Sequence, residues 1–195
     1  MSIRSIAAAS AFCLCAATAT AAPLPKDFLA GYDSGLYRIL DGERAVPLWL
    51  DGEVRKIVKS SEGWFFLTSL GVLYSRDLGV FEDRSSGLPA KTYKPFNDGK
   101  TSFPTAIQDL QALDLDSKDP AFLATCTKDA AFVSRDGGKT WKSYGTPADT
   151  TGLKAVALAP YPGTGETALW ASHPIKGLFV RRLTSGGWVN ASAGL

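Results

Sequence analysis

Three carboxylates stand in short turn-like segments where acid/base chemistry could be organised: Asp33, Asp129 and Glu166. A two-carboxylate hydrolase of glycosidic bonds needs its carboxyl groups roughly 5 to 9.5 Å apart, so these residues are candidates only if the fold brings them together. Other reagents are sparse. The one histidine, His173, lies beside Pro174 and has no cysteine pair to complete a zinc set, so no metal site is expected. Arg181 and Arg182 are neighbours in a strand-like run and would project from opposite faces, which prevents them from acting as one anion clamp. Gly137-Gly138-Lys139-Thr140 lacks the upstream glycine and the following helix of a phosphate loop. Cys126, set in Phe122-Leu123-Ala124-Thr125-Cys126, reads as a small packed hydrophobe, and no cofactor is expected.

Binding chemistry is easier to see. The stretch 90–105 carries Lys91, Tyr93, Lys94, Phe96, Asn97, Asp98, Lys100 and Phe103 around an Asn-Asp-Gly turn. A connection of that length is either a binding element or a disordered excursion, and its aromatics, which need cover, favour binding. Lys128, Asp129, His173 and Lys176, in two further turns, join Lys91, Tyr93, Phe96 and Phe103 as candidate contact residues.

The elements that must hold these residues are strands. Short apolar runs recur between Gly, Pro, Asp and Ser clusters, without any long stretch of helical period, which is the pattern of an all-β chain. The clearest punctuation is Ser134-Arg135-Asp136-Gly137-Gly138-Lys139-Thr140-Trp141, in which side chains can close a tight turn before a β-branched, aromatic strand begins. A shorter version, Ser75-Arg76-Asp77-Leu78-Gly79, follows Gly71-Val72-Leu73. The runs Gly35-Leu36-Tyr37, Ala130-Ala131-Phe132 and Gly177-Leu178-Phe179 complete a repeat with roughly 36 to 59 residues between copies, a period suited to propeller blades with loop insertions.

The octet matches S-x-D-x-G-x-T-W at Ser134, Asp136, Gly138, Thr140 and Trp141, with Ser75, Asp77 and Gly79 as a partial copy. It resembles the Asp-box of bacterial-neuraminidase-type repeats, a β-propeller superfamily that includes sialidases and the photosystem II stability/assembly factor group. The resemblance implies four-stranded antiparallel blades near 26–52, 53–89, 106–147 and 152–195, with 90–105 inserted and the first blade one strand short. It also implies that Asp136 forms a turn, that Trp141 packs between blades, and that ligands face the opposite edge. The sialidase arginine triad does not map: the nearest approach to its Arg-Ile-Pro is Arg38-Ile39-Leu40. The expected function is therefore non-catalytic binding or assembly with protein or glycan partners, with a sialidase-like glycoside hydrolase, or a degenerate remnant of one, as the alternative.

Arg4, the apolar run Ile6–Ala17 and the small residues Ala19-Thr20-Ala21 read as a signal peptide at 1–21, which implies export to a periplasmic or extracellular space and no membrane span after cleavage. Cys126 would then be the sole cysteine of the mature chain, so no internal disulfide is expected. A net charge of +2 gives no electrostatic footprint for nucleic acid. Ala191-Ser192-Ala193-Gly194-Leu195 repeats the pattern of Arg84-Ser85-Ser86-Gly87-Leu88, where blade two hands on to blade three. The sequence therefore points to a truncated coding unit, a half-ring that self-associates through an open blade edge, or a strained four-bladed ring.

Overall fold

The computed structural model describes residues 27–90, 109–147 and 150–193. The segment 1–21, read above as a signal peptide, and the candidate residues Lys91, Tyr93, Phe96 and Phe103 lie outside them. The described residues form four antiparallel sheets in chain order, one of three strands and three of four. Blade one holds β1 (Phe28–Tyr32), β2 (Gly35–Leu40) and β3 (Arg44–Trp49). Blade two holds β4 (Val54–Lys59), β5 (Trp64–Thr68), β6 (Gly71–Ser75) and β7 (Glu82–Asp83). Blade three holds β8 (Ala112–Leu115), β9 (Leu123–Cys126), β10 (Ala131–Ser134) and β11 (Lys142–Gly145). Blade four holds β12 (Ala155–Pro160), β13 (Thr167–His173), β14 (Gly177–Arg182) and β15 (Val189–Asn190).

The sequence of the middle strands follows from burial on both faces. Successive side chains of a strand point to opposite sides, so a strand covered on one side alternates and a strand covered on both reads as a continuous apolar run. In β5, Phe65 and Leu67 enter the core shared with blade three while Phe66 enters the core shared with blade one. In β9, Leu123 joins the core between blades two and three, while Ala124 and Cys126 join the one between three and four. By contrast β12, at the end of the series, alternates exposed Ala155, buried Val156 and exposed Ala157. Three cores thus bind four sheets, between one and two, two and three, and three and four. Among the described residues no core joins the fourth sheet to the first, so the blades form an arc. Blade one meets blade two closely: a Cβ on Gly31 of β1 would lie 2.6 Å from the carbonyl oxygen of Val54.

The outer strands β7 and β15 are shorter than the residue pattern suggests, which reads as strand over 80–84 and 187–191. A hydroxyl takes over their pairing. Ser85 Oγ accepts the N–H of Val72 at 3.0 Å, and Ser192 Oγ accepts that of Leu178 at 2.8 Å. The residues before them, Arg84 and Ala191, donate their N–H groups to the Val72 and Leu178 carbonyls. The likeness of 191–195 to 84–88 is therefore an equivalence of position, for as much of it as is described. Strand β1 has no neighbour on its free side among the described residues.

Candidate functional site

Antiparallel strands in chain order give the arc two rims. One carries the turns after the first and third strands of each full blade; the other carries the turns after the second strands and the connections between blades. They are built differently.

On the first rim the octet closes on itself. Ser134 Oγ donates to Asp136 Oδ1 at 2.7 Å and accepts the Gly138 N–H at 2.8 Å. Asp136 accepts from Thr140 twice, N–H to Oδ1 at 2.9 Å and hydroxyl to Oδ2 at 2.6 Å. Gly137 and Gly138 take φ of 69° and 78°, the left-handed region that glycine reaches without steric cost. Burial, the largest single influence on the Asp136 carboxyl, works to raise its pKa, but the hydrogen bonds from Thr140, Ser134 and the Lys139 N–H together hold it below the usual value. In blade two Ser75 Oγ accepts the Leu78 N–H, and Asp77 is held below the usual range by the N–H of Gly79 and then that of Val80.

The last residue of the octet is a tie between blades. Trp141 is 6% exposed, and its indole N–H donates to the Arg84 carbonyl of blade two at 2.7 Å. Its backbone N–H donates to Ser86, and a Cβ on Gly87 would stand 2.6 Å from the Trp141 oxygen, so only glycine fits there. Blade four repeats the tie: Trp188 Nε1 donates to the Tyr144 carbonyl of blade three at 3.1 Å, and Arg181 donates to the same oxygen at 2.8 Å. The repeat pattern shows where Trp188 stands but not this bond, because the serine and aspartate that would announce it are missing there.

On the second rim a side chain at the end of the second strand locks the turn in each full blade. Thr68 Oγ1 accepts the Leu70 N–H, and Thr127 Oγ1 accepts those of Asp129 and Ala130. In blade four the same place is held by His173, whose Nδ1 accepts the N–H groups of Ile175 and Lys176 at 3.1 and 3.0 Å. That leaves Nε2 as the protonated nitrogen, donating to the Thr151 carbonyl at 2.8 Å and so fastening the connection from blade three. The Lys128 carbonyl accepts from Gly152 and Leu153, completing that fastening. Arg55 bridges blades two and three through Glu53, Asp109 and the Leu110 carbonyl, and its hydrogen bond with Glu53 favours the charged guanidinium.

Of the sequence candidates, Lys128, Asp129, His173 and Lys176 all fall on this second rim. Residues 90 and 109, the described positions flanking the insertion, are on it too. Four large apolar side chains stand exposed there: Tyr32 at 54%, Leu50 at 57%, Leu70 at 44% and Ile175 at 89%. The catalytic candidates do not meet. Glu166 lies on the first rim, bonded by the Thr184 hydroxyl, whereas Asp33 and Asp129 lie on the second with blade two between their sheets. Arg181 and Arg182 diverge as their spacing requires, one stacking on Tyr144 and the other on Tyr161. Burial pushes the Cys126 thiol up to about 12, which keeps it a protonated core group. Among the described residues no three His, Cys, Asp or Glu side chains gather as a metal set, and no helix is long and apolar enough to cross a membrane.

Among solved structures the chain is similar to the Neurospora crassa Pan2 WD40 domain, with a TM-score of 0.50 and 16% identity over 85% of this chain and 46% of that one. The chain is a β-propeller. It spans about half the length of that domain, whose relationship to it is one of fold. It is also similar to YCF48 bound to D1 peptide, with a TM-score of 0.39 and 12% identity over 82% of this chain and 62% of that one. No protein-family model matches the propeller's sequence, and no curated protein matches it.

Proposed function

We propose that this propeller is an exported, non-catalytic binding or assembly module of the Asp-box type, and that it meets a protein partner on the rim formed by its blade connections. The observation that carries the reading is the exposure of Tyr32, Leu50, Leu70 and Ile175 along that rim. Apolar side chains cost little singly at a surface, but several on one edge of a rigid scaffold are the ordinary core of a protein interface. Thr68, Thr127 and His173 hold the turn backbones, so the tips are presented in a fixed arrangement and little ordering entropy is lost on contact. Lys128 and Asp129 extend the same edge, and Lys91, Tyr93, Phe96 and Phe103, outside the described residues, are proposed as further contacts. The geometry of the 134–141 octet supports the Asp-box assignment, and the residues at 1–21 support export.

Photo-crosslinking in the producing cell tests the reading. A crosslinking side chain at Ile175 or Leu70 is expected to yield a discrete protein adduct, and one at Val80, exposed on a fourth strand's lead-in at the other rim, is expected to yield none. Adducts from Val80 alone, or from no position, would overturn it.

A further inference from the structure

The turns of the first rim leave one guanidinium without a hydrogen bond in each full blade. Arg76, Arg135 and Arg182 occupy the same place in the repeat, directly after Ser75, Ser134 and Arg181. None of the three makes a hydrogen bond or an ion pair among the described residues. Each lines a separate cleft, of about 630, 250 and 340 Å³ respectively. Those volumes lie within or near the range of small-ligand clefts, roughly 300–1,000 Å³. Each cleft also holds a hydroxyl and a half-buried aromatic ring over which a cation already stands: Ser61 and Trp64, under Lys59, with Arg76; Thr140 and Tyr144, under Lys142 and Arg181, with Arg135; Ser185 and Tyr161, under Arg182 itself. The Arg182 guanidinium lies 4.3 Å from the Tyr161 ring centre, and its Nε–H is buried without a partner. Arg135 is held in the same way over Phe122 at 4.3 Å. Stacking fixes the plane of a guanidinium and leaves its in-plane donors free for a carboxylate.

We infer that this rim is a second binding surface, which takes an acidic polysaccharide, one carboxylated sugar to each blade. A sugar acid carries on a single ring what each cleft provides for: an apolar C–H face for the aromatic ring, a carboxylate for the arginine, and hydroxyls for the serine or threonine. An aspartate or glutamate side chain brings the carboxylate alone. Three clefts along an arc, each with its arginine, make the binding multivalent, so affinity rises with chain length.

Calorimetric titration of the full chain with polygalacturonate monomer, trimer and hexamer tests this. Affinity is expected to rise with each length, and Arg76→Gln, Arg135→Gln and Arg182→Gln each to weaken hexamer binding about three- to tenfold, with the triple variant losing it. Melting curves check that these exposed or half-exposed substitutions leave the fold intact. Leu70→Ser with Ile175→Ser, on the other rim, is expected to leave hexamer binding unchanged. The inference is overturned if the hexamer does not bind, if a folded triple variant binds it as well as the parent, if neutral dextran binds equally, or if poly-L-glutamate or duplex DNA binds as tightly as the uronate chain.

Discussion

The two rims of the arc solve the same problem, ending a strand and starting its neighbour, with different residues. On one, Ser134 and Asp136 bond each other and three backbone N–H groups, and Trp141 ties the result to the preceding blade. On the other, a single threonine or histidine closes each turn, and the tip residues Leu70 and Ile175 are left in solvent. A conspicuous sequence motif thus marks the rim where side chains are consumed by structure. The rim with side chains left over for a partner carries no such mark. The arginines at 76, 135 and 182 qualify the contrast: they stand around the motif turns, and their guanidiniums make no hydrogen bond among the described residues.

Trp141→Ala gives the largest effect that would break this comparison. It removes a buried ring and the indole bond to Arg84 together, and is expected to cost about 3–5 kcal/mol in urea unfolding. A loss below 1 kcal/mol would mean that the octet does not join the blades. His173→Ala comes next. It strands the N–H groups of Ile175 and Lys176 and the Thr151 carbonyl, and since these can find water the expected loss is about 1–3 kcal/mol, with faster amide exchange confined to 151–153 and 173–177. Unchanged exchange there would show that the second rim is held by something else.

Asp136→Asn sharpens the comparison through pH. Because the folded carboxyl titrates below its ordinary value of 3.8, its contribution is present in full above that value and is lost as pH falls through the folded pKa. The melting temperature of the parent should therefore exceed that of Asp136→Asn at neutral pH, and the gap should close on acidification below about pH 4. A constant gap would show that the carboxylate charge is immaterial to the turn. The smallest effect belongs to Leu70→Ser with Ile175→Ser, expected to stay within about 0.5 kcal/mol of the parent for each exposed site. A larger loss would make these side chains structural rather than available.

Much of the fold was legible in the residues because the blade repeat is written in turn chemistry. Gly35, Gly71 and Gly177 head equivalent strands, β2, β6 and β14, and the octet follows the corresponding strand β10. Blade one has three strands among the described residues, and the short proline-rich segment 22–26 before it lies outside them. The ties were not legible. Trp188 bonds Tyr144 in a turn whose serine and aspartate have been replaced, and His173 does the work of Thr68 and Thr127 with a chemically unrelated side chain. Position within the repeat predicts such roles; residue type alone does not. Of the three carboxylates read as acid/base candidates, Glu166 parts from the others because successive turns alternate between rims, a consequence of antiparallel pairing, and Asp33 parts from Asp129 because blade two lies between their sheets.

The central claim is that blades stack radially and are held through the indole of the motif tryptophan. Hydrogen exchange of the five tryptophan indole N–H groups, followed by NMR, tests it most directly. Trp141, bonded to Arg84 across the blade boundary, should be protected to the level of the β9 amides, and Trp64, whose indole has no partner among the described residues, should exchange fast. A Trp141 indole that exchanges as quickly as that of Trp64 would contradict the account.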